Sequence, residues 1–222
     1  MTQLLVPFSF LGIDAAIYLV SAIIGFAVAY YAFRLHSFSE NRSHYYLYMG
    51  FTAISIGLLL LSVATFYAFI NLKVLCTQEC YANMLDPAFD IWDFGYWLYY
   101  LASIIAYGFF ALMYMPKRKE RKLFFILPVW FVAFPYFHLL SFFMVSYVVF
   151  RSFISYRTNK SLKSMLVFAA FLAIGIFHLL SLLNIFGKAV YVIAHIILLL
   201  GFLSLLAVLL KINKSQPVVK KR

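Results

Sequence analysis

Long apolar runs separated by short polar breaks set the pattern of this chain. A helix that crosses a bilayer needs about 20 mostly apolar residues. The first such run covers 12–33 and ends at Arg34, before the polar stretch RLHSFSENRSH. A second covers 45–70, and a third covers 91–115, stopped by Pro116 and the basic run KRKERK. Two more, 164–184 and 189–210, flank the link NIFGK, whose Gly187 suits a tight turn. The stretch 123–150 reads two ways, as one long helix or as two that fold back near Pro135.

Charge separates the two readings. With a fold-back, spans 121–135 and 137–158 leave sixteen of the 18 basic residues on one side of the membrane and only Lys73 and Lys188 on the other. A single span would divide them almost evenly. Basic residues mark the cytoplasmic side. The chain is therefore expected to be all-α, a polytopic seven-transmembrane-helix bundle with its N-terminus out and its C-terminus in, in the cytoplasmic membrane.

Composition agrees with the class. Of 222 residues, 66% are hydrophobic and 11% charged, against roughly 25% charged in an average soluble domain. That excludes a soluble globular domain, a disordered chain and a disulfide scaffold. A net charge of +11 would suggest nucleic acid in a soluble protein. Here it is a difference between two faces, and no nucleic-acid partner is expected. The expected partners are the bilayer, anionic lipid at the basic loops, and a cytoplasmic or membrane protein.

Ionisable residues inside spans are functional candidates, because leaving them in lipid costs several kcal/mol. His178 and His195 fall at similar depth on adjacent antiparallel spans. Asp14 and Tyr18 open the first span, Asp93 and Tyr100 the third, and His138 and Ser141 the stretch after Pro135. Helical spacing adds Ser181 to the His178 stripe and Tyr191 to the His195 stripe. These residues define an expected outward-facing pocket: Asp14, Tyr18, Asp93, Tyr100, His138, Ser141, His178, Ser181, Tyr191 and His195.

The expected function is a receptor-like or sensory module that takes a small ligand, ion or proton in this pocket. A small transporter or transporter subunit using the same seam is the alternative. A haem- or metal-binding or assembly subunit, with His138, His178 and His195 as ligands, is a third reading. No H-E-x-x-H is present, and no catalytic residues are assigned. Retinal chemistry would need a lysine inside a span, and Lys188 stands only at the mouth of the last one. Cys76 and Cys80, in C-T-Q-E-C, are a candidate disulfide in an outer loop. Asn41-Arg42-Ser43 against Asn159-Lys160-Ser161, with Gly57 against Gly175, hints at a three-helix unit used twice.

Overall fold

A computed structural model describes residues 11–71, 81–115, 137–183 and 188–215, with side chains for 12–71, 91–115, 137–183 and 189–211. The described residues are helical throughout their length apart from the turns: α1 Leu11–Ser39, α2 Arg42–Ile70, α3 Tyr81–Met113, α4 Phe137–Asn159, α5 Leu162–Leu182 and α6 Lys188–Ser215. Each contains a stretch long and apolar enough to cross a membrane. The chain is an integral, multi-pass membrane protein. Large apolar side chains such as Ile23, Phe66, Phe94, Phe143, Phe150 and Leu200 stay exposed on the outside of the bundle. That is the surface a bilayer covers, since lipid tails are as apolar as these side chains.

The expected seven-helix bundle is corrected to six helices among the described residues. Predicted span 121–135 lies outside them. That stretch is shorter than the about 20 residues a span needs, whereas the residues after it build a complete 23-residue helix, α4, on their own.

Each helix packs on its chain neighbours, and α1 closes the ring against α6. Successive helices alternate in direction within two triplets, α1–α2–α3 and α4–α5–α6. Between the triplets the direction repeats. Phe137 stacks on Tyr100 with ring centroids 3.9 Å apart, and fourteen residues on, Arg151 donates to the Tyr114 carbonyl at 3.4 Å. So α4 runs parallel to α3, and Met115 and Phe137 lie at opposite ends of the bundle, separated by roughly 20 Å along the axis. α1 and α6 are parallel in the same way, with Tyr18 beside Tyr191 and Gly25 beside Phe202. In consequence Arg34, Arg42, Arg151, Arg157, Lys160 and Lys163 share one end, called here the basic end. These six, among the described residues, meet on one side as the sequence leads one to expect.

The two triplets repeat at a spacing of 120 residues. Glu40 (φ 50°) and Lys160 (φ 44°) both end a helix in the left-handed region. Both return their N–H to the fourth preceding carbonyl at 2.8 Å, His36 and Tyr156 respectively. Asn41 and Ser161 then cap the next helix, accepting from Ser43 N and Ser164 N. The ring pair Phe33–Tyr48 recurs as Phe153–Phe168, and the Gly25–Ser55 contact recurs as Val145–Gly175 with the small residue exchanged. The Asn41/Asn159 and Gly57/Gly175 matches read from the sequence are therefore out of register by two. A left-handed non-glycine residue costs about 1–2 kcal/mol. Lys160→Gly is accordingly expected to stabilise the protein by about 1 kcal/mol and Lys160→Val to destabilise it, read as midpoints of detergent-induced unfolding.

Candidate functional site

The half of the bundle opposite the basic end holds the buried ionisable residues Asp14, His178 and His195. On the α1–α6 seam, Asp14, Tyr18, Tyr191 and His195 are each at most 5% exposed. Tyr18 Oη is the hub. It lies 3.0 Å from Tyr191 Oη, 3.1 Å from His195 Nε2 and 3.3 Å from Tyr96 Oη. Tyr191 Oη lies 3.1 Å from Asp14 Oδ2, and His195 Nδ1 donates to the Tyr191 carbonyl at 2.9 Å. The local sequence explains the placement. Asp14 and Tyr18 are one helical turn apart, as are Tyr191 and His195, so two parallel helices present two matched pairs to one seam.

A second network lies on the other side. His178 Nε2 and Tyr107 Oη are 2.6 Å apart, and His178 Nδ1 lies 3.2 Å from His138 Nδ1. His178 and Tyr107 are fully buried. His138 takes the position in α4 that Tyr18 takes in α1, 120 residues earlier. Phe177 stands between the networks, its ring 4.9 Å from that of His178 and 5.4 Å from that of His195. The single pocket expected from the sequence is thus two hydrogen-bonded groups divided by a phenyl ring.

Beyond the networks toward the basic end, four phenyl rings fill the bundle axis. Phe51 packs on Phe110 at 5.0 Å and on Phe202 at 5.5 Å, and Phe110 packs on Phe171 at 5.4 Å. All four are at most 1% exposed. Phe51 and Phe171 are again 120 residues apart. The Tyr107 ring lies 6.3 Å from that of Phe110, tilted at 48°, and so joins the histidine network to this plug.

Of the residues expected at the site, Asp14, Tyr18, Tyr191 and His195 come together, as do His138 and His178. Tyr100 stacks on Phe137 and meets His138 edge-on at 6.0 Å. Asp93 is half-buried on the same helix. Ser141 is buried with no hydrogen-bond partner among the described residues, as is its counterpart Ser21. Ser181 turns away from the networks and donates to the carbonyl of Phe177 in its own helix at 2.8 Å. Cys76 and Cys80 lie outside the described residues. Sequence reading missed Tyr96, Tyr107, Phe177 and the phenyl plug. Tyr96 and Tyr100 share the four-residue spacing of Tyr191 and His195, which is the one signal that pointed to Tyr96.

Among the described residues no group of three or more His, Cys, Asp or Glu side chains stands together as a metal site needs. His178 and His195 each direct both ring nitrogens at protein partners, an arrangement unlike that of paired haem ligands. At the basic end a cavity of about 380 Å³ opens between the α1–α2 turn and the end of α3, lined by Glu40, Arg42, Tyr46, Met113 and Met115 among others. It is remote from His138, His178 and His195 and lies instead beside His36, whose Nδ1 is 3.1 Å from the carbonyl of the lining residue Asn41. Comparison with protein families, with curated proteins and with solved structures gives no match for this chain.

Proposed function

We propose that the protein is a proton-responsive sensory module of the membrane. The observation that carries this reading is the buried chain Asp14–Tyr191–Tyr18–His195. A carboxyl group and an imidazole held in one hydrogen-bonded chain away from water respond to protons before anything else, because a proton enters without displacing a side chain. Tyr96 faces this chain from α3, with Asp93 one turn away, His138 from α4, and His178 from α5 across Phe177. The positive-inside rule puts the basic end in the cytoplasm and the networks toward the exterior. A change at His178 reaches Phe110 through Tyr107, and the plug carries it toward the basic end. There a cytoplasmic or membrane partner, or anionic lipid, receives it.

The test uses the full chain in lipid nanodiscs. Trp92 is buried beside Tyr96, the two rings 5.5 Å apart, so once Trp97 and Trp130 are replaced by phenylalanine its fluorescence reports on the cluster. The expected result is a fluorescence transition with pH that disappears in the His178→Gln/His195→Gln double variant. A response unchanged in the double variant sinks the reading.

One observation favours transport as a second reading. Parallel three-helix repeats about an axis along the membrane normal are a plan used by transporters. Vesicles carrying the protein would then dissipate an imposed pH gradient or take up solute. The sensory reading expects the gradient to hold.

A further inference from the structure

We infer that Asp14 and His195 share a single proton, which moves between them along Tyr191 and Tyr18. The inference deepens the proton reading of this cluster and rests on it. It comes from counting protons. Four contacts run along the chain: Asp14–Tyr191, Tyr191–Tyr18, Tyr18–His195 Nε2, and His195 Nδ1 to the Tyr191 carbonyl. Each needs one proton between its two atoms. A tyrosine hydroxyl supplies one, a neutral histidine supplies one, and a carboxylate supplies none. Ionised Asp14 with neutral His195 therefore brings three protons to four contacts.

That state leaves two lone pairs facing each other somewhere in the chain. The carbonyl can only accept, so Nδ1 carries its proton and Nε2 accepts from Tyr18. Ionised Asp14 accepts from Tyr191. The Tyr18 and Tyr191 oxygens, 3.0 Å apart, are then left with no proton between them. Tyr96 does not repair this, because its hydroxyl proton serves its own contact with Tyr18.

One added proton satisfies every contact, and it does so in two ways. In the first, Asp14 is protonated and donates to Tyr191, Tyr191 donates to Tyr18, and Tyr18 donates to His195 Nε2. In the second, protonated His195 donates through Nε2 to Tyr18, Tyr18 donates to Tyr191, and Tyr191 donates to ionised Asp14. The two states have the same proton count and interconvert when three protons each move one step. The carboxyl O–H breaks as Tyr191 gains a proton, Tyr191 passes its own to Tyr18, and Tyr18 passes its own to Nε2. The net result is one proton transferred from Asp14 to His195, leaving a carboxylate and an imidazolium. Heavy atoms need not move. The geometry so joins a group near the mouth of α1 to one more than a turn deeper.

The expected signature is coupling between two groups that do not touch. Full-length protein in lipid nanodiscs is titrated by infrared spectroscopy, following the carboxylic C=O band that Asp14→Asn removes. With both tyrosines in place, His195→Gln moves the midpoint of that band by about one pH unit or more, a tenfold change in proton affinity. With Tyr18→Phe or Tyr191→Phe in the background, the same His195→Gln change moves it much less. These two variants keep the aromatic ring, and either one alone suffices to break the chain. A band that His195→Gln leaves in place in the native background overturns the inference. So does coupling of equal size in both Phe backgrounds. If coupling fails while the fluorescence response to pH persists, the relay is wrong and the sensory reading stands. If coupling holds without a pH response, the relay stands and the sensory reading falls.

Discussion

Gly57→Val is expected to destabilise the bundle by about 3 kcal/mol, the upper part of the range for forcing extra carbon into a packed interior. A Cβ at Gly57 would lie 2.7 Å from the Ala102 Cβ and 3.2 Å from the Tyr99 Cα. The second of these is backbone, which cannot swing aside as a flexible side chain can. α2 and α3 are held this close without help from water, because no hydrophobic force separates lipid from leucine. Close packing between small residues is then what joins two helices. Gly108 is the control, since nothing lies within 4 Å of where its Cβ would stand. Gly108→Ala should leave stability unchanged or raise it slightly through helix propensity. Reversible unfolding in mixed micelles, followed by circular dichroism, compares the two. A Gly57→Val protein that unfolds at the wild-type midpoint would show that the α2–α3 contact is looser than described.

Tyr107→Phe is expected to cost about 2 kcal/mol, although it removes a single oxygen. The ring and its packing are retained. What is lost is the partner of His178 Nε2, 2.6 Å away, in a place where neither residue has any exposure. A buried polar group left without a partner costs about 1–3 kcal/mol, more than the bond itself contributes when made. The discriminating measurement is a double-mutant cycle. His178→Leu in the Tyr107→Phe background should cost clearly less than in the native background, because Nε2 there has already lost its partner and the substitution takes away an unsatisfied buried nitrogen. Additive effects would mean that the two side chains do not depend on each other. The His138 Nδ1 contact, 3.2 Å, is lost with His178 in both backgrounds and cancels from the comparison.

The sequence carried much of the architecture. Runs of about 20 apolar residues are read directly, because bilayer thickness imposes a length on each span. The basic residues gave the relative directions. Arg34, Arg42, Arg151 and Arg157 meet at one end as their distribution along the chain required. The count of spans is where sequence and structure differ: charge bookkeeping leads to seven, and six helices are found among the described residues, 121–135 lying outside them. The repeat is legible in the sequence only two residues out of register, because Asn41 and Asn159 are alike in type whereas the equivalent turn positions, Glu40 and Lys160, share a backbone conformation and nothing chemical.

The site divides the same way. Asp14, His178 and His195 stand out in any reading because charge-bearing groups inside an apolar span are rare and costly. Tyr96, Tyr107 and the four plug phenylalanines do not stand out. The chain has 17 tyrosines and 26 phenylalanines, and nothing local marks the few that face the axis. Ser181 shows the converse, a polar residue on the expected stripe whose hydroxyl bonds its own helix.

That the chain crosses a membrane many times, which end of the described helices is basic and which residues within the spans are ionisable were determined by the sequence alone. Each depends on hydrophobic length or on residue type, quantities that are written along the chain. Only the tertiary structure decided that Tyr18 meets Tyr191 and His195, that Phe177 divides the histidines, and that four phenyl rings close the axis. Those contacts join residues from different helices, and they depend on the rotation of each helix about its axis and on which helices are neighbours. Both are set by close packing of side chains across the bundle, which no one-dimensional pattern records.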